Sequence, residues 1–72
     1  MKKLIAFIEE AFNSLDRLDT ISEKRSIFDQ CFGATNFICS WLVSVDETEQ
    51  AIQIAELWNE VYKPRFEEKI YG

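Results

Sequence analysis

Carboxylates and thiols are the side chains from which chemistry would have to be built here, because the chain contains no histidine. That absence removes the usual general base near neutral pH and the commonest metal ligand. Glu9 with Glu10, Glu67 with Glu68, and Asp46 with Glu47 are adjacent acids that an acid–base pair would use. Neighbouring residues on a helix point about 100° apart and do not face one another, so these read as solvated charge. Cys31 and Cys39 have no cationic neighbour in sequence that would lower a thiol pKa, so neither reads as a nucleophile. Eight residues apart on one helix, they would lie ~12 Å apart along its axis, beyond the ~7 Å between Cα atoms that a disulfide spans. Two reduced, buried thiols in a cytoplasmic protein are expected. Two cysteines without histidine make a zinc site unexpected, and neither a Gly-rich phosphate loop nor a helical Glu-x-x-His is present. The expectation is a non-enzymatic protein with no cofactor and no metal.

Charge is the more informative pattern. The formal net charge is −5, from 8 Lys and Arg against 13 Asp and Glu. Residues 1–25 balance, with five bases and five acids. Residues 26–62 contain no base and six acids: Asp29, Asp46, Glu47, Glu49, Glu56 and Glu60. The balance argues against direct binding of nucleic acid, which rests on Lys and Arg at the phosphates. Glu49, Gln53, Glu56 and Glu60 recur at helical spacing within ~60° of the wheel, forming one outward stripe of uncompensated acids. An acidic stripe on a small domain is ordinarily a solubility device. The functional alternative is docking on a basic surface, where such a face steers encounter and makes association salt-sensitive.

The elements that carry these residues follow from periodicity. Between Lys2 and Asp19 the apolar residues Leu4, Ile5, Phe7, Ile8, Ala11, Phe12, Leu15 and Leu18 share an arc of ~160°, an amphipathic helix. The apolar start, Leu4 to Ile8, is interrupted by Glu9 and Glu10 before it reaches the ~7–15 residues of a signal-peptide core. No run of ~18 apolar residues reads as a membrane span. Thr20-Ile21-Ser22-Glu23 is a capping box that opens a second helix. Gly33 is a candidate stop, but apolar residues from Ile27 to Val45 keep one broad arc of ~200° across it, which predicts a single long helix to about Ser44. A strand over Phe37–Val45 is the competing reading, disfavoured because Ser40 and Ser44 are spaced by four rather than two. Asp46, Glu47 and Glu49 suit the positive N-terminus of a third helix. Pro64 should end or kink it, because proline lacks an N–H and crowds the carbonyl of Glu60. Phe66, Ile70 and Tyr71 then belong to a reoriented tail.

These elements predict an all-α fold over residues 1–72: one domain, an antiparallel three-helix bundle with a long central helix and a Pro64-kinked C-terminal segment. Trp41, Trp58, Phe12, Phe28, Phe32 and Tyr62 are expected in its core, while Tyr71 and Phe66 are the candidates for exposed partner anchors. A chain this short buries only ~60% of its unfolded surface, so added contacts from a partner or a second copy would help it. Asp46, Glu47, Glu49, Gln53, Glu56 and Glu60 are therefore the candidate partner-binding residues. Ser26, Gly33, Asn36, Phe37 and Ser40, on the small, weakly charged face of the central helix, are the candidate self-association residues. The expected function is that of an acidic interaction module that inhibits or regulates a nucleic-acid-handling protein, by analogy with small inhibitors of phage or mobile-element type. The alternative is a self-associating assembly module whose charge serves solubility alone.

Overall fold

The computed structural model describes residues 2–72. Helix α1 spans Lys2–Ser14 and ends in a 3-10 turn at Leu15–Arg17. Helix α2 runs unbroken from Ile21 to Ser44, so it passes through Gly33 as the periodicity predicts. A third helical rod follows, built from α3 (Thr48–Leu57), a π turn (Trp58–Tyr62) and α4 (Lys63–Tyr71), without a break between them. No strand is present among the described residues, and the protein is an all-α helical bundle.

The start of α2 follows from local chemistry. The Thr20 hydroxyl oxygen accepts the Glu23 amide at 3.1 Å and donates to the Glu23 carboxylate at 2.9 Å. That satisfies one of the orphan N–H groups of the first turn. The end of α2 is closed by a Schellman motif. The amides of Asp46 and Glu47 donate to the carbonyls of Val43 and Leu42 at 3.1 and 2.8 Å. Asp46 takes the left-handed position of that motif, with φ 63°. Asp46 therefore terminates α2 rather than capping α3, whose N-cap is Glu47 without a side-chain cap bond.

The third rod explains how the chain accommodates Pro64. Ile54, Trp58, Tyr62, Phe66 and Ile70 are all buried, each four residues from the last. In a straight α-helix, four such steps would drift ~160° around the axis and carry Ile70 away from the core. The π turn holds an extra residue and takes back ~100° of that drift. Its bond from the Lys63 amide to the Trp58 carbonyl also spares Pro64 the usual clash, and Pro64 sits in the first turn of α4, where a missing N–H is tolerated. Phe66 and Ile70 thus join the core, while Arg65 and Lys69 are exposed. Phe66, expected as a surface anchor, is instead fully buried.

The main core gathers Ile8, Leu15, Phe28, Cys31, Trp58, Tyr62, Phe66 and Ile70 from all three rods. Phe66 meets Phe12, Phe28 and Trp58 with ring centroids at 5.3, 5.9 and 5.9 Å. A smaller core of Leu42, Ala51 and Ile54 joins α2 to α3, with Leu4 packed against it. The exposed bases of α4 turn back on α1. Arg65 pairs with Glu9 at 3.1 Å and lies over the Phe12 ring at 4.5 Å, and Lys69 pairs with Asp16 at 2.6 Å. The Lys69 ammonium holds the Asp16 carboxyl below its ordinary range. At the end of α4, Arg25 donates to the Tyr71 hydroxyl at 2.6 Å.

Candidate functional site

Helix α1 has 13 residues and α2 has 24. At 1.5 Å per residue they are about 20 and 36 Å long, so α1 covers only part of α2. Leu4 marks the limit: it touches the Leu42, Ala51 and Ile54 cluster, and only Lys2 and Lys3 of α1 lie beyond it among the described residues. The last turns of α2 and the first of α3 consequently form a two-helix end to a molecule of 41 × 18 × 17 Å.

Large apolar side chains remain exposed on that end. Phe37 is 71% and Trp41 54% exposed, and Val43, Val45 and Ile52 are exposed as well. Trp41, Val43 and Val45 fall within the apolar arc of α2, yet they do not reach the core, because no third helix packs over this stretch. Trp41 therefore departs from its expected core position. Phe32 does so in part: it is exposed, with one ring face stacked on Trp58 at 6.1 Å between centroids and 14° between planes. Trp58, Phe28 and Tyr62 are buried as the periodicity requires, and Phe12 is half-buried.

The acidic residues sit around and beside this apolar end. Asp46, Glu47, Glu49, Gln53, Glu56 and Glu60 are all exposed. None of the acids takes part in an ion pair among the described residues, whereas Glu9, Asp16 and Asp29 each have a basic partner. Glu47 accepts from the Gln50 amide at 3.3 Å, a local contact across the first turn of α3. Glu49, Gln53 and Glu56 share the solvent side of α3, and Glu60 lies in the wider π turn, rotated from the position that α-helical spacing gives it. The structure thus places Asp46, Glu47 and Glu49 beside the exposed Val43 and Val45, and sets Glu56 and Glu60 further along the rod.

The candidate self-association residues Ser26, Gly33, Asn36, Phe37 and Ser40 are likewise all exposed on α2. A Cβ built on Gly33 would meet nothing within 4 Å, so no packing inside this chain accounts for a glycine there. Periodicity singled out Phe37 only as a neighbour of this face and missed that Phe37, Trp41 and Val45 form one exposed strip. Their spacing of four along α2 is legible in the sequence, whereas the reach of α1 along α2 is a property of the packed structure.

The thiols behave as structural groups. Cys31 is fully buried and its surroundings push the thiol up to about 11 by desolvation. Cys39 is half-buried, its thiol also raised by burial, and it donates to the Ala51 carbonyl at 3.5 Å. Neither shift produces the thiolate a nucleophile needs. Among the described residues there is no group of three potential metal-binding side chains, and no helix is long and apolar enough to cross a membrane. No protein-family model matches the chain, and comparisons with curated proteins and with solved structures find no match.

Proposed function

We propose that this protein is a non-enzymatic interaction module that docks its two-helix end on a basic surface of a protein partner. The observation that carries this reading is the exposed strip of Phe37, Trp41 and Val45 at the end of α2, followed directly in the chain by the unpaired acids Asp46, Glu47 and Glu49. Contiguous exposed apolar surface rimmed by charge is characteristic of interaction sites. Aromatic residues supply the binding energy at such sites, and acids around them select and steer a basic partner. Basic surfaces of this kind are what nucleic-acid-handling proteins offer to phosphates, so a competing acidic module would inhibit or regulate such a protein in the cytoplasm.

The test is affinity capture from the native host with mass spectrometry, using the wild-type chain and two variants. Glu47→Lys/Glu49→Lys and Trp41→Ser should each reduce recovery of a specific partner at least tenfold while far-ultraviolet circular dichroism stays helical. Recovery should also fall with added salt. Unchanged capture by both variants at low salt overturns the reading.

A second reading is favoured by the open space at Gly33 beside the most exposed aromatic, Phe37. In it, a second copy of the chain packs on α2 and supplies the cover that α1 does not. A dimer mass by light scattering that reverts to monomer in Phe37→Ser distinguishes this from docking on another protein.

A further inference from the structure

A cleft of about 290 Å³ lies between the first half of α2 and α4, lined by aromatic rings and by charges of both signs. Phe28 and Phe32 line it from α2, and Tyr71 lines it at the end of α4. Phe32 has one ring face on Trp58 and is 45% exposed, so a further ring can reach it from solvent. Arg25 and Asp29 are already satisfied within the cleft. They pair with each other at 3.2 Å, and the Arg25 guanidinium lies over the Phe28 ring at 5.2 Å and donates to the Tyr71 hydroxyl. Their charges cancel.

Lys63 and Glu67 line the same cleft from α4 and are both exposed, but neither has an ion-pair partner among the described residues. Their spacing of four puts them on one face of the helix, with Cβ atoms about 5–6 Å apart. A lysine ahead of a glutamate is the weaker of the two orientations for such a pair. The cleft thus presents one uncompensated ammonium and one uncompensated carboxylate between walls that carry aromatic rings. A ligand that is only an anion would stand beside Glu67, and one that is only a cation beside Lys63, so like charge opposes either. A zwitterion meets both, with its carboxylate on Lys63 and its ammonium on Glu67.

We infer that this cleft binds a free aromatic α-amino acid, whose ring packs on Phe32 while its carboxylate meets Lys63 and its ammonium meets Glu67. A cavity of about 150 Å³ takes a benzene ring, so one of about 290 Å³ suits a single six-membered ring with its amino-acid group. Phe32, Lys63 and Glu67 are all exposed, so these contacts need no opening of the core. The cleft shares no residue with the proposed docking end, and binding here does not require a protein partner.

The experiment titrates the ¹⁵N-labelled full chain with L-phenylalanine and, in parallel, with three analogues that each lack one part. Phenethylamine has no carboxylate, 3-phenylpropionate has no ammonium, and L-alanine has no ring. The expected result is a saturable shift of the Phe32, Lys63 and Glu67 amide peaks with L-phenylalanine, while the Trp41 indole peak stays in place. Phenethylamine and 3-phenylpropionate should each bind roughly three- to fivefold more weakly, the upper range for one exposed ion pair. L-alanine should bind at least tenfold more weakly. In Lys63→Gln the advantage of L-phenylalanine over phenethylamine should vanish, and in Glu67→Gln its advantage over 3-phenylpropionate. A merely structural effect of either substitution would weaken all the probes alike and overturn the assigned contact. The wild-type comparison stands even if a variant fails to fold. No saturable shift up to the solubility limit, equal affinity for L-phenylalanine and any analogue, or shifts confined to the Phe37 and Trp41 strip overturns the assignment.

Discussion

Cys31 shows how a residue's role is set by what surrounds it. Its thiol has the same chemistry as that of Cys39, but full burial raises its pKa from an ordinary 9.0 to about 11. Below pH 9 the thiol is protonated in both the folded and the unfolded chain, and its contribution to stability is fully present. As the pH rises through 9 to 11, the unfolded chain gives up the proton while the folded one retains it, so unfolding becomes progressively easier. The urea midpoint of the wild-type chain is therefore expected to fall over this window, and that of Cys31→Ala to fall less steeply. Equal slopes would show that Cys31 titrates freely in the folded state. The sequence placed Cys31 in the core by its phase on α2. It held no sign that Thr35, one turn on, is buried too, since a threonine on an apolar arc gains its place by donating to the Cys31 carbonyl.

At the scale of elements, α2 and the third rod handle their helix-breaking residues differently. Gly33 lies on an open face with no contact for an added Cβ and no positive φ, so Gly33→Ala should relieve only backbone entropy. The substitution is expected to stabilise the monomer by about 0.5–1 kcal/mol and to raise the melting temperature by roughly 2–8 °C in calorimetry. A lowered melting temperature would mean that the face at Gly33 is occupied by another molecule under those conditions. Pro64 is different, because its ring conflicts with a regular helix whatever packs outside. The adjacent π turn answers that conflict and brings Phe66 and Ile70 into phase. The sequence carried both halves of this arrangement: a proline, and a run of buried residues spaced by four. It did not show that one local widening resolves them together, so a reoriented tail was the natural expectation.

For the whole molecule, stability is concentrated where all three rods meet. Phe66 is fully buried against Phe12, Phe28 and Trp58, whereas the ion pairs of Arg65 and Lys69 are exposed and contribute little. Phe66→Ala is expected to cost about 3–5 kcal/mol, most of the stability a domain this small holds, and to leave the chain largely unfolded by circular dichroism at 37 °C. A cooperative transition close to that of the wild type would contradict this placement of the core. The opposite end, held by the small Leu42, Ala51 and Ile54 cluster, has little to lose and is the end that exposes Phe37 and Trp41. By itself the sequence determined that the chain is helical, that α2 crosses Gly33, and that uncompensated acids gather after residue 25, because hydrophobic phase, capping chemistry and charge counts are local properties. Only the tertiary structure decided which apolar residues find cover. That depends on how far one helix reaches along another, and α1 is too short to shield the last turns of α2.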